Sequence, residues 1–192
     1  MGNLGRLTRR TYAELTDEQK EAFDGMAQGR NPDDGHLGGP FDAWVLNPKL
    51  GKRISSLGGA FRFKTVTDRR YVELVILVTG HYYQAQFEWY AHEPMARDAG
   101  VPEAVIQAIK AGETPAFEDP KDEAAYRLAM ELHHSHQLSD ATYAFALEQL
   151  DEVGIAELAN LAGFYTMVSM NLNAFRVPLP EGAEYPFPLT SG

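Results

Sequence analysis

Apolar residues recur along this chain at helical spacing in one segment after another, and the gaps between segments hold residues that stop helices. Leu50, Ile54, Leu57 and Phe61 follow one another at intervals of 4, 3 and 4 residues, which puts them on one face of a helix opened by Pro48. Upstream, Thr16 caps the segment "DEQKEAFDGMAQG", with acids in its first turn, Phe23 and Met26 three apart, and Gly29 as its stop. Between them, "RNPDDGHLGGPF" is dense in Gly, Pro and Asp and reads as a loop, after which Phe41, Trp44 and Val45 begin another helix.

The segment after Asp68, "RRYVELVILVTG", differs from the rest. Val72 and Leu74 to Val78 form a nearly continuous apolar run in which Glu73 is the only charge. Such a run suits a buried strand as well as a buried helix. Its neighbours all have helical period, so it reads as a central helix buried on most sides. A carboxylate in that setting needs a partner, and Arg69 and Arg70 are the nearest basic residues. The next helix is expected from Tyr82 to Ala99, closed by Gly100, and Pro102 opens "PEAVIQAIKAG", with Gly112 as its stop. A long helix follows from Lys121 to about His134. Ser139 starts "DATYAFALEQL", and "DEVGIAELANLAGFYTMVSMNLNAF" makes a final helix before a Pro-rich tail over 177–192. The expectation is an all-α single domain over 1–192 with seven or eight helices, of which 1–39 form an N-terminal helical extension.

Composition narrows the function. Seventeen Lys and Arg against 27 Asp and Glu give a formal charge of −10, which disfavours nucleic acid and anionic membranes as partners. The chain has no cysteine, so disulfides, thiolate metal sites and redox dithiols are excluded. The start "MGNLGR" has Arg where a myristoylation signal needs Ser or Thr, and it lacks the apolar run of a secretory signal. No stretch reads as a membrane span. A soluble, cytoplasmic protein acting on a small molecule is the expectation.

Candidate chemistry gathers in "HYYQAQFEWYAHE". On a helix, residues four apart lie one turn above each other, so Gln84, Glu88 and His92 would form one polar ridge. Glu88 and His92 could move protons near neutral pH if buried; on a surface the same pair is an ordinary ion pair. The cluster His133, His134 and His136 lacks the i,i+4 spacing of a helical zinc site, and no metal is expected there. His36, in the Gly-rich loop, is a candidate lid residue.

Glu73, eleven residues, Ala85, two residues, Glu88, three residues and His92: this register resembles the carboxymuconolactone decarboxylase and AhpD-like superfamily, whose peroxidase branch carries Glu-x11-Cys-x2-Cys-x3-His. Ala85 and Glu88 stand at the two cysteine positions. "FEWYAH" resembles a segment of the cysteine-free branch, and the likeness extends through "GGPFDAWVLNPKL", "RRYVELVIL", "ARDAGVPEAVIQAIKAG" and "NLNAFRVPLPEG", over about 40–182. The resemblance implies an AhpD-like multi-helical bundle with a central helical hairpin, assembled as a homo-oligomer, commonly a trimer or hexamer. Dithiol peroxidase chemistry does not carry over, because it needs two thiols.

By that resemblance the expected activity is cofactor-independent decarboxylation or isomerisation of a small carboxylated lactone or related ring-cleavage product. His92 is the expected proton donor, Glu88 its partner or a second proton carrier, and Glu73 the group that fixes His92. His81 is a candidate oxyanion donor, Tyr82 and Gln84 candidate pocket residues, and Arg69 and Arg70 a candidate fork for a substrate carboxylate. The alternative is a non-enzymatic, oligomeric binding or stress-associated member of the same fold.

Overall fold

The computed structural model describes residues 5–189; residues 1–4 and 190–192, the outer ends of the N-terminal extension and of the Pro-rich tail, lie outside the described residues. The fold is organised around one helix in which every residue from Val72 to Gly80 is buried. The helices are α1 (Asp17–Ala27), α2 (Phe41–Val45), α3 (Pro48–Phe63), α4 (Arg69–Tyr82), α5 (Gln86–Asp98), α6 (Glu103–Ala111), α7 (Pro120–His134) and α8 (Asp140–Phe175). The buried helix is α4, and it packs against α5, α6, α7 and α8. Helices α1, α2 and α3 pack on one another, and α3 also meets α8. The one non-helical pairing among the described residues is an isolated bridge between Asp33 and His36.

Local chemistry explains where these helices begin. Thr16 and Gln19 exchange bonds at the start of α1, with Thr16 N donating to Gln19 Oε1 at 3.0 Å and Gln19 N to Thr16 Oγ1 at 3.3 Å. Side-chain oxygens of Asn47, Asp68, Asp119 and Ser139 accept from backbone N–H groups in the first turns of α3, α4, α7 and α8. The break expected between the last two helical segments is present as a kink in α8 at Asp151, whose backbone leaves the helical region. Asp151 Oδ1 accepts from Val153 N at 2.8 Å and Gly154 N at 3.0 Å, so it recaps the second half. By length and composition α8 is apolar enough to cross a membrane, contrary to the sequence expectation, but half of its most apolar window is buried inside this fold.

Two further features depart from the sequence pattern. The regular apolar row of α3 faces the core only in part: Ile54 and Phe61 pack against it, whereas Leu50 is 54% and Leu57 48% exposed. The buried residue of α3 is Gly51, where a Cβ would come within 2.1 Å of the Trp44 carbonyl oxygen. Close approach of α2 and α3 therefore uses the glycine side of the helix and leaves its leucines outside. Together with Val153 and Met167 of α8, Leu57 and Phe61 line an apolar surface groove. The Pro-rich tail, in contrast, returns to the body. Phe187 is buried, and its backbone exchanges two bonds of 3.0 Å with the side chain of Gln86.

The helix expected from Tyr82 to Ala99 is divided. Tyr82 ends α4, and Gln84 sits at φ 50 between the helices. Ala85 N donates to Gly80 O at 2.8 Å and Gln84 N to His81 O at 2.9 Å, the paired bonds that close a helix on a left-handed residue. This turn folds α5 back on α4 as a helical hairpin. It also removes Gln84 from the ridge: its side chain is exposed and donates to His81 O at 2.7 Å. A glycine at a helix interior costs about 1 kcal/mol relative to alanine, whereas at a left-handed closing position it relieves strain. Gln84→Gly is therefore expected to leave the thermal midpoint unchanged or raise it, and Gln84→Val to lower it. A midpoint lowered by Gln84→Gly as far as by a glycine inside α5 would contradict the turn.

Candidate active site

The hairpin sets two helices face to face so that charges from both meet in the core. From α4 comes Glu73, fully buried; from α5 come Glu88 at 4% and His92 at 7% exposure. Glu73 Oε2 lies 2.7 Å from His92 Nδ1, and the other oxygen of Glu73 accepts from Arg69 Nη2 at 2.9 Å. On the far side of the ring, His92 Nε2 is 3.1 Å from Glu88 Oε1. Distance alone would make that a hydrogen bond, but the alignment does not, and Glu88 Oε1 is left buried without a hydrogen-bond partner. We take it as a charge contact with an acceptor position still open. The chain of groups thus runs from Arg69, near the surface, through Glu73 and His92 to Glu88.

Burial disfavours a charge on His92, but the negative charge of Glu88 and the hydrogen bond to Glu73 outweigh it and raise the ring's pKa from 6.5 to about 9. At neutral pH the ring is an imidazolium whose Nδ1 donates to Glu73. Because the folded pKa is raised, the stabilisation from this proton is fully present below about 6.5 and is lost as pH rises through about 9. The edge of the Tyr165 ring system meets His92 at 5.2 Å and 84°. Burial, then the charges of Glu88 and Glu73, hold the Tyr165 hydroxyl well above its ordinary pKa of 10.0, so it is a proton-bearing donor throughout the neutral range.

Glu88, His92 and Tyr165 line one cavity of about 390 Å³, within the roughly 300–1,000 Å³ of small-molecule sites. Its walls come from five places in the chain: Arg30 in the loop after α1, Phe41 and Trp44 of α2, Gly58, Gly59 and Arg62 of α3, Phe87 and Met95 of α5, and Phe164 and Val168 of α8. Gly58 lets Phe164 approach, since a Cβ there would stand 3.0 Å from its ring. Larger surface grooves of about 780 and 650 Å³ run along the outside of α3 and do not include the Glu88 and His92 pair.

The other sequence candidates lie elsewhere. His81 is set between the rings of Trp89 and Phe187, where burial lowers its pKa, and it does not line the cavity. Tyr82 stacks on His133 at 5.0 Å and 14°. His133 is buried against Thr79 Oγ1 at 2.9 Å, and burial drives its pKa down to about 4; it is a neutral packing residue. His134 meets Tyr82 edge-on, and His136 is exposed beyond α7. Arg69 serves Glu73, and Arg70 pairs with Asp122 and, at 4.0 Å, with Asp119, so neither forms a fork in the cavity. His36 is buried in its loop, 3.9 Å from Asp42 in the first turn of α2. Arg30, Arg62 and Tyr165 were not singled out by the sequence pattern, because they come from distant segments and have no spacing in common. Only the folding of α3 and α8 over the hairpin brings them to Glu88 and His92.

No family model and no curated protein sequence matches this chain. Among solved structures, its fold is similar to that of an uncharacterized peroxidase-related protein from Silicibacter sp. TM1040, with a TM-score of 0.72 and 13% identity over 92% of both chains. At that identity the likeness concerns the fold, which is the AhpD-like helical bundle with its central hairpin.

Proposed function

We propose that this chain is a soluble, cytoplasmic acid–base catalyst that needs no cofactor and acts on a small carboxylated lactone or related ring-cleavage product, by decarboxylation or isomerisation. The observation that supports it is the opening of Glu88 and His92, one buried proton-carrying pair, into the same partly closed cavity. A pair used only for packing would have no reason to face an apolar cavity with an acceptor oxygen left open.

In the decarboxylation, the bond between the substrate carbon and its departing carboxylate breaks, and carbon dioxide leaves. The electron pair spreads through the conjugated system onto the lactone carbonyl oxygen. Tyr165, protonated and lining the cavity, takes the part of oxyanion donor that the sequence suggested for His81. A proton then passes to carbon from His92 Nε2, directly or through Glu88 Oε1 at 3.1 Å. Glu73 holds the opposite nitrogen, and Arg69 holds Glu73. Isomerisation would use the same groups, with the proton removed at one carbon and returned at another. Dithiol-dependent peroxide reduction is chemically closed to a chain without cysteine.

We also propose assembly as a homo-oligomer, a trimer or hexamer, with the exposed apolar row of α3 and α8 as its contact. Leu50, Leu57, Val153 and Met170 are each about half exposed, and apolar area of that kind is stabilised by burial against a second copy.

Removing His92 leaves two buried carboxylates without their shared cation, a loss of about 3–5 kcal/mol, so Glu88→Gln is the better probe of chemistry. In a screen of muconolactone-type acids for carbon dioxide release, Glu88→Gln is expected to lower turnover by about 10²-fold while staying folded. The parent rate should fall as pH rises through about 9, where His92 loses its proton. Full turnover in Glu88→Gln, or a rate unaffected by crossing that pH, would count against the pair as the proton source. Light scattering should give a mass of several chains, shifted towards one chain by Leu57→Glu; a monomer at micromolar concentration would remove the proposed contact.

A further inference from the structure

The cavity that holds Glu88 and His92 also holds two arginines with no acidic partner. The Arg30 guanidinium lies 3.9 Å from the centre of the Phe41 ring, and its Nη1 donates to Met26 O at 2.5 Å. Arg62 lies 5.2 Å from the Phe63 ring, its Nη2 meets Met95 Sδ at 3.6 Å, and its Nε is buried without a hydrogen-bond partner. Among the described residues, no carboxylate stands within ion-pair distance of either, although acids outnumber basic residues 27 to 17 in the chain. Burial and the nearby charge of Arg62 both disfavour the charged form of Arg30. Arg30 is exposed to solvent at the cavity and Arg62 is half-buried with one donor unpartnered; two like charges side by side, with no carboxylate within reach of either, favour an anion between them.

We infer that Arg30 and Arg62 clamp a carboxylate of the substrate, whose flat apolar body lies between the aromatic walls with its reacting carbon turned to Glu88 and His92. This substrate class rests on the acid–base function proposed above, but the clamp is readable by binding alone. The carboxylate it takes is one that the product keeps. A departing carboxylate loses its charge as carbon dioxide forms, so two guanidinium groups on it would stabilise the ground state more than the transition state and slow the reaction. Held on a retained carboxylate, the same contacts position the substrate without that loss. The Phe41 ring, 3.9 Å from the Arg30 guanidinium carbon, holds that group in place, and the in-plane N–H groups at a guanidinium's edge suit a carboxylate's two oxygens.

Isothermal titration of the full chain with benzoate, benzamide and acetate tests the clamp without any turnover. Benzoate should bind saturably. Benzamide, which lacks the charge, and acetate, which lacks the ring, should each bind about tenfold more weakly or worse. Arg30→Gln and Arg62→Gln should each weaken benzoate by about tenfold, while Arg53→Gln, which removes a like charge from the exposed outside of α3, should leave it unchanged. Benzamide binding as tightly as benzoate, either clamp variant binding benzoate like the parent, or no saturable benzoate binding would each overturn the inference. Carboxylate-dependent binding with no turnover on any lactone would instead leave the clamp in place and remove the proposed reaction.

Discussion

A carboxylate placed at the centre of a helix that is buried on all sides has to be compensated, and the hydrogen bond between Glu73 and His92 is how this fold does it. Nothing in α4 itself can reach the inner oxygen of Glu73. The compensation must come from another helix, which fixes the register of α5 against α4 and, with it, the turn at Gln84. Once His92 is charged by that contact, a second carboxylate can be tolerated on its other nitrogen, and Glu88 occupies that position. The buried network is then a chain of alternating charges, Arg69, Glu73, His92 and Glu88, with its outer end near solvent and its inner end at a cavity.

The packing around this network has consequences in both directions. Helices α7 and α8 cover the apolar sides of α4, which keeps water from the Glu73 carboxylate and strengthens its hold on the ring. Helices α1 and α2 add Phe23, Met26, Trp44 and Val45 to the core, and α3 packs Ile54 and Phe61 against it. Phe41, Trp44 and Arg62 wall the cavity from outside, and glycines allow the close approach this needs, Gly51 to Trp44 and Gly58 to Phe164. Leu50 and Leu57, left exposed on α3, are the result of that arrangement. A cap that contributes glycine and arginine inward has its leucines outward, and the same helix thereby supplies both a wall of the site and an exposed apolar face.

The helices were legible in the sequence because each has its own punctuation: Thr16, Asp68 and Ser139 cap where the chain places them, and the lone Glu73 in an apolar run correctly signals a partnered carboxylate. The join at residues 83–85 was not legible. It has no glycine or proline, and it is closed by backbone bonds around a glutamine in a conformation that glutamine seldom adopts. That single turn is why Gln84 read as a member of the Glu88 ridge and is not, and why Tyr82 ends α4 instead of opening α5. The orientation of α3 was misleading for a related reason, since periodicity shows that a helix has an apolar face but not whether this chain or another covers it. The arginines of the cavity could not be found at all from local pattern, because Arg30 and Arg62 are brought together only by the tertiary fold.

Whether the network has a proton to give depends on the charge state of one buried ring, His92. Nitrogen-15 NMR of the histidine side chains, followed across pH, measures it directly. His92 should show both ring nitrogens protonated at neutral pH and should titrate near 9, and in Glu88→Gln the transition should move down because one of the two carboxylates that hold the proton is gone. A His92 ring already neutral at pH 7, or one that titrates near 6.5 in both proteins, would mean that the two carboxylates do not hold a proton on it, and the network would then be a packing feature without a proton to give.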